Sequence, residues 1–545
     1  MLAPAESVQK GHFKTIYKAE AFMKIYSFSP FGYEGSLVSV EVDLRRGIPA
    51  IDMVGLADGA VKESRERMRS AIRNSGFDFP PERVLISLSP ADVKKEGAGF
   101  DLAVALAVLA EKDSIEGNGG NLTASPILVM GELELNGRIR PVRGIHAAAS
   151  TAHAEGIRLC IVPAANGDEA REIDGMKVFG AEDLSGAYCA LTNTTANCFT
   201  TKTRTKESVS DCPECGQIIE GIAFSSIETG MEYAEVKDQT RFVRALQIAA
   251  AGGHNLLAYG PPGCGKTLGI QKFPALLPLL THEEAQPVTR IYSIAGLLSP
   301  NHPAMRRAPF RQPHQTASIE GMCGGGVHCT PGEISLAHNG VLFLDEAAEF
   351  KTSVLQMLRV PLESGSVTLS RAGRSTVFPA SFQLLMATNP CPCGNFGSAE
   401  KICLCSARSI EQYWRKFSAP LLDRIDIRLQ VEREKDGERP QSTEQLRQAI
   451  AKAVFSQRQR QGKRNAKLTA EEIGRYCKCT SGAQLVLDTA EHQFSLSPRG
   501  IAGCLKLART IADMTGKEII DDMCMSEAVS YRKAADGMEA PAGIL

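Results

Sequence analysis

The sequence lacks any long apolar run. The longest, Leu102 to Ala110, falls far short of the roughly 20 residues a membrane helix needs, so no spanning segment and no membrane partner are predicted. It also lacks net charge: 61 Lys plus Arg nearly cancel 62 Asp plus Glu, leaving -1, so any polyanion site must be local rather than a global field. The first 22 residues carry Lys10, Lys14 and Lys18 without a central apolar block, unlike a secretory signal. They are expected to form a loose, disordered leader before Met23, itself a candidate start. With no signal, the sixteen cysteines point to reduced thiols in a cytoplasmic protein rather than a disulfide framework.

What is present reads as ordinary globular protein, 43% hydrophobic and 23% charged, and 545 residues are too many for one core. From 23 to 190, strands ("SLVSVEVDL", "RVLISLSP", "LCIVP") alternate with helices ("AVKESRERMRSAIRNSG", "DLAVALAVLAEKD"), which predicts an α/β domain. A Thr-, Ser- and Lys-rich tract follows and is assigned, over 191–232, to a linker or insertion. A second α/β unit covers 233–432. The remainder, 433–545, reads as helical, with capping-box spacing from Ser442 to Gln445 and helical spacing in "PRGIAGCLKLARTIADM". No internal repeat is visible.

The strongest chemical signal is "NLLAYGPPGCGKTLGI": an apolar strand, a glycine loop and a helix. Gly260, Pro261, Pro262, Gly263, Cys264 and Gly265 let backbone N–H groups turn around phosphate oxygens. Lys266 neutralises β/γ charge, and Thr267 offers a hydroxyl to Mg²⁺. "NGVLFLDEAAEF" then delivers Asp345 and Glu346 at the end of an apolar strand, fitting a Mg²⁺ ligand and a base for the attacking water. "FQLLMATNP" ends in Asn389, an amide suited to holding that water or a plain turn residue before Pro390. Arg424 sits in "PLLDRIDI", where it is either a local ion pair or a finger reaching a neighbouring subunit. Arg499 opens a helix in "LSPRG", against the helix dipole, which makes sense if it faces a phosphate.

In this order these elements resemble the ComM/YifB family of magnesium-chelatase-like AAA+ ATPases. The match rests on "AAAGGHNLLAYGPPGCGKT", "PGEISLAHNGVLFLDE", "NPCPCG", "PLLDRIDI" and "ARTIAD". The resemblance implies an AAA+ P-loop core with a parallel sheet, a C-terminal helical lid and a homohexameric ring promoted by ATP. Glu346, Asn389, Arg424 and Arg499 would then be catalytic, with Arg424 acting in trans and Arg499 sensing nucleotide in cis. The chain departs from the family at Pro313-His314-Gln315, at Ala347-Ala348-Glu349-Phe350 and around Met523-Cys524, none of which touches the ATP residues. The loop "RRAPFRQPHQTASIEGMCGGGVHCTPGE" resembles the family's pore-facing insertion. "SGSVTLSRAGRSTVFPASF" reads as a hairpin with Arg371 and Arg374 at its tip, either a DNA-phosphate grip or a solvated turn.

The N-terminal stretches "RVLISLSPADVKKEGAGFDLAVALAVL" and "GELELNGRIRPVRGIHAAASTAHAEGIRLCIVP" resemble a Lon-protease-like domain. Lon-type proteolysis needs a serine and a lysine base. Residues 94–103 contain no Ser or Thr and 131–163 no Lys, so a non-catalytic scaffold is expected.

Cys391, Cys393, Cys403 and Cys405 form two C-x-C pairs just after the Asn389 strand, a set that can close a structural Zn²⁺ site, with reduced thiols and a redox switch as alternatives. Cys212 and Cys215 are half a site that would need Cys198 or another subunit. Cys477 and Cys479 read as incidental. The resulting expectation is a ring motor using ATP and Mg²⁺ on branched or single-stranded DNA, as in branch migration during natural transformation. Its rivals are a chelatase-type motor subunit remodelling a protein partner and an ATP-dependent protease.

Overall fold

The computed structural model describes residues 24–55, 59–95, 97–116, 125–192, 199–201, 214–299, 301–371, 374–397, 401–432 and 440–533. The first α/β unit is built on a seven-stranded sheet in the order Ile51–Val54, Arg83–Ser89, Ser36–Arg45, Ile25–Ser29, Ile127–Val129, Leu159–Pro163, Lys177–Ala181. Ser36–Arg45 runs antiparallel to both its neighbours, and the other pairs are parallel. The long apolar run belongs to the helix Asp101–Glu116, whose residues 101–110 are all buried, so it is apolar all round rather than striped. Its first residue, Asp101, is fully buried and accepts from Arg67 Nε at 3.0 Å and from the Leu133 N–H at 3.4 Å. Burial pushes the Asp101 carboxyl above the usual carboxylate range, with Arg67 opposing. An ion pair therefore ends in residues 94–103, the stretch that contains no Ser or Thr.

The tract assigned to a linker holds a folded element at its end. Cys215–Ile219 and Ile222–Ser225 pair as a hairpin through Glu220 and Gly221, both at positive φ, the conformation of a two-residue type I′ turn. Phe224 is buried in the core of the second unit, and Arg447 lies 5.0 Å over its ring while donating to the Ser225 carbonyl at 2.9 Å. The apolar residues Ile219, Ile222 and Phe224 around a Glu-Gly turn outweigh the polar composition upstream.

The second unit is a five-stranded sheet, Phe310–Arg311, Val341–Leu344, Gln383–Thr388, Leu256–Tyr259, Ile427–Gln430, with every pair parallel. Leu256–Tyr259, Val341–Leu344 and Gln383–Thr388 are buried throughout, as parallel strands covered on both faces must be. The expected insertion carries a short helix, Ile319–Cys323, and a small hairpin, Gly324–Gly325 with Thr330–Pro331. Ser366–Arg371 and Arg374–Pro379 pair with Arg371 opposite Arg374. Five C-terminal helices follow: Thr443–Arg460, which opens with the Ser442/Gln445 capping box, then Ala470–Tyr476, Ser481–Phe494, Pro498–Thr515 and Asp522–Lys533.

The two units are tied at the helix His282–Ala295, which packs on Ile145–Ala154. Arg290 donates to the Tyr33 and Glu34 carbonyls, both at 2.9 Å, and to Thr151 Oγ1 at 3.1 Å, with its guanidinium 4.8 Å from the Tyr33 ring centre. Gln286 meets His146 Nε2 at 2.9 Å, and Ser293 donates to Glu169 at 2.5 Å. The arginine hairpin also leans on the first unit: Arg374 stacks over Phe31 at 3.7 Å, Thr376 Oγ1 accepts from the Tyr33 N–H at 3.0 Å, and Tyr33 meets Phe378 edge-on. Arg290→Ala removes several charge-assisted hydrogen bonds from one joint and is expected to weaken it by about 3 kcal/mol. Calorimetry should then resolve an earlier, separate melting of the N-terminal unit.

Candidate nucleotide site

The four-residue strand Leu256–Tyr259 ends at the glycine loop, and the helix Lys266–Gln271 begins immediately after it. Gly263 and Gly265 take φ of 78° and 86°, conformations that favour glycine, and a Cβ on Gly260 would lie 2.2 Å from the Val431 carbonyl oxygen. Lys266 is 8% exposed and donates to the Gly260 and Pro261 carbonyls at 2.7 and 2.9 Å. Burial lowers its pKa, which makes an anion in the loop its natural counterion. Gln239 donates to the Cys264 carbonyl and braces the loop from below.

Two strands along, Val341–Leu344 delivers Asp345 beside the loop, where Thr267 Oγ1 donates to Asp345 Oδ1 at 3.0 Å. A hydroxyl and a carboxylate at that separation are hard oxygen donors suited to Mg²⁺. Glu346 is exposed with φ 47°, a left-handed conformation costly for a residue with a Cβ, and its carboxylate accepts from Gln315 Nε2. Asn389 follows the strand Gln383–Thr388, which lies between the other two. Loop, carboxylates and amide thus meet at the carboxyl edge of the sheet, where open α/β sheets bind ligands.

The arginines lie elsewhere. The Arg424 carbonyl accepts from Asn255 Nδ2 at 2.9 Å, and Asn255 Oδ1 accepts from the Leu384 N–H at 2.8 Å, so Arg424 is pinned at the amino edge. Its guanidinium donates to the Pro420 carbonyl at 2.6 Å and pairs with Glu363. Arg499 pairs with the other oxygen of Glu363 at 3.1 Å, and Ser497, the cap of its helix, donates to Asp423 at 2.9 Å. The two cations, first Arg424 and then Arg499, hold the Glu363 carboxyl below its ordinary range. Arg371 and Arg374 are both exposed, with Arg374 stacked on Phe31.

The four cysteines converge. Sγ separations are 3.3 Å for Cys391–Cys393, 3.7 Å for Cys391–Cys403 and 3.6 Å for Cys393–Cys403, and all four sulfurs, Cys405 included, lie within 4.8 Å of one another. Cys212 and Cys198 lie outside the described residues, Cys215 is half-buried, and Cys477 is buried beside the half-buried Cys479.

Residues 232–439 match the family model for magnesium chelatase, subunit ChlI, and 440–532 match the model for its C-terminal region. Residues 40–166 match a further model, subunit ChlI of Mg-chelatase. The competence protein ComM of Haemophilus influenzae is 36% identical over 514 residues, 93% of this chain and 97% of that one. YifB of Escherichia coli is 37% identical over 515 residues, 93% of this chain and 96% of that one. The chain belongs to the ComM/YifB family of magnesium-chelatase-like AAA+ proteins. A Lon protease of Chloroflexus aurantiacus is 31% identical over 148 residues, 26% of this chain and 17% of that protein, in keeping with the Lon-protease-like N-terminal domain. ComM/YifB membership implies nucleotide and Mg²⁺ as ligands, which the glycine loop and the Thr267/Asp345 pair fit. No helix among the described residues is long and apolar enough to cross a membrane.

Several partners of these residues were invisible in the sequence: Gln315 on Glu346, Glu363 between the arginines, Asn255 under Arg424 and Gln239 under the loop. None has a local pattern, and Gln315 corrects an expectation: it lies in the Pro313-His314-Gln315 triplet that departs from the family, and that departure does touch a candidate ATP residue, Glu346. Asp345→Asn removes the charge from the Mg²⁺ pair and is expected to weaken nucleotide binding at least tenfold in Mg²⁺ but little in EDTA. Titration with a fluorescent ATP analogue under both conditions checks this.

Proposed function

We propose that the protein is an ATP-hydrolysing motor that assembles as a cytoplasmic homohexameric ring and drives branch migration of DNA recombination intermediates. The observation that carries the ring is the separation of its two half-sites. The cradle and carboxylates stand at the carboxyl edge of the sheet, while Arg424 is tied by Asn255 to the amino edge. Four residues of strand separate these edges, about 13 Å at roughly 3.3 Å per residue, so Arg424 cannot reach its own loop and serves a neighbour's. Arg499 shares Glu363 with Arg424, which supports a role in the same neighbouring site rather than the in-cis role the resemblance implied.

Within that site Lys266 and the loop N–H groups would bind the β/γ-phosphates, and Thr267 and Asp345 would hold Mg²⁺. The ion neutralises charge on the phosphates when bound. Glu346 polarises the attacking water, Asn389 orients it, and the partner protomer's guanidinium meets charge that develops on the γ-phosphate, a contribution of about 10³–10⁵ in rate in related phosphoryl transfers. Glu363 is the counterion that keeps the two guanidinia paired until a triphosphate competes for them.

DNA as substrate is supported by the paired Arg371 and Arg374 on one hairpin and by 36% identity to a competence protein, which also supports a role in natural transformation. A chelatase-type motor remodelling a protein partner is the rival. Branched DNA is expected to stimulate ATP turnover several-fold, and an unchanged rate favours the rival. Lys266→Ala and Glu346→Gln should each lower turnover at least a hundredfold, and normal hydrolysis in either would remove it from the site. Arg424→Ala should be comparably inactive alone. Mixed with Lys266→Ala it should regain measurable activity, because some interfaces then combine an intact cradle with an intact arginine. No recovery would rule out the trans assignment.

A further inference from the structure

The four-cysteine cluster lies against the nucleotide site. Tetrahedral Zn²⁺ with four thiolates has Zn–S near 2.3 Å, which sets sulfur separations of about 3.8 Å. The observed 3.3, 3.7 and 3.6 Å approach that figure and are far from the roughly 2.05 Å of a disulfide. The backbone is shaped for the purpose as well: Gly394 takes φ 78°, its N–H bonds the Cys391 carbonyl at 3.0 Å, and the Phe396 N–H donates to Cys391 Sγ at 3.4 Å. An all-sulfur tetrahedral set selects soft cations, zinc or iron, over Mg²⁺.

The turn and the helix that follows it pack around the glycine loop and the end of the Asn389 strand. A Cβ on Gly394 would lie 2.9 Å from Pro262 of the phosphate loop and 3.9 Å from Asn389 Cγ. Trp414, on the helix that follows the second cysteine pair, donates its indole N–H to the Pro390 carbonyl at 3.0 Å and sets its ring edge-on to Tyr259, with centres 5.6 Å apart. Tyr413 beside it bonds Thr388, the residue before Asn389, at 2.9 Å. Cys391 is buried two residues after Asn389, so an ion there fixes both ends of the turn that walls the loop.

We infer that Cys391, Cys393, Cys403 and Cys405 bind one Zn²⁺ per protomer, and that this ion holds Asn389 and the Gly394 turn against Pro262, so that metal occupancy governs ATP turnover. The coupling rests on the nucleotide reading of the loop; metal binding does not.

Elemental analysis of the purified full chain is expected to find one zinc per protomer, retained in Lys266→Ala and lost in the double variant C403S/C405S. The double variant should keep its far-ultraviolet circular dichroism while ATP turnover falls at least tenfold. In a second arm, the zinc chelator TPEN, which spares Mg²⁺, should lower turnover of the parent protein to the same extent, and added Zn²⁺ should restore it. This arm decides the matter if the double variant misfolds. Absence of stoichiometric metal, stoichiometric iron in place of zinc, or zinc retained in the double variant would overturn the site. Zinc lost with turnover unchanged would overturn the coupling. Turnover lost in Lys266→Ala with its zinc intact separates a failure of the nucleotide site from a failure of the metal site.

Discussion

The parallel register of the strand Leu256–Tyr259 between Gln383–Thr388 and Ile427–Gln430 is the constraint on which the rest depends. Because the strands run the same way, every loop that leaves a carboxyl end emerges on one edge: the glycine loop, Asp345-Glu346 and Asn389. Every loop that enters an amino end emerges on the other, which is where Arg424 arrives. Asn255 spans Arg424 and Leu384 and locks this arrangement at the level of single hydrogen bonds. The sheet thus sets the glycine loop and its neighbouring carboxylates on one edge and Arg424 on the other.

The glycine loop is held by contacts on several sides. Gln239 supports the Cys264 carbonyl, Val431 crowds Gly260 and Gly394 crowds Pro262. Lys266, deprived of water, bonds the loop's own carbonyls. A loop held in this way would need little reorganisation to bind an anion.

Much of this was legible in the sequence because the signals are local. The glycine loop, the apolar run ending at Asp345-Glu346, the capping box at Ser442 and the arginine hairpin are each written in a few consecutive residues. The Glu-Gly turn at 220–221 was equally local but was masked by the Thr- and Ser-rich residues ahead of it. Glu363 and Gln315 could not be read, since their roles exist only once distant segments pack: Glu363 lies far along the chain from both Arg424 and Arg499. The spacing of the four cysteines suggested a metal, but the approach of Gly394, which lies between them, to Pro262 and Asn389 depends on which strand lies beside which.

The stacking of Arg374 on Phe31, with the Tyr33 N–H seated on Thr376, joins the tip region of the arginine hairpin to the Lon-like domain. Arg290 fastens the same Tyr33 from the other side. A hairpin held at both points cannot be displaced by itself, so a shift of it would carry the amino-terminal domain along. The Lon-like domain and the arginine hairpin are thereby one mechanical body, joined through Phe31 and Tyr33.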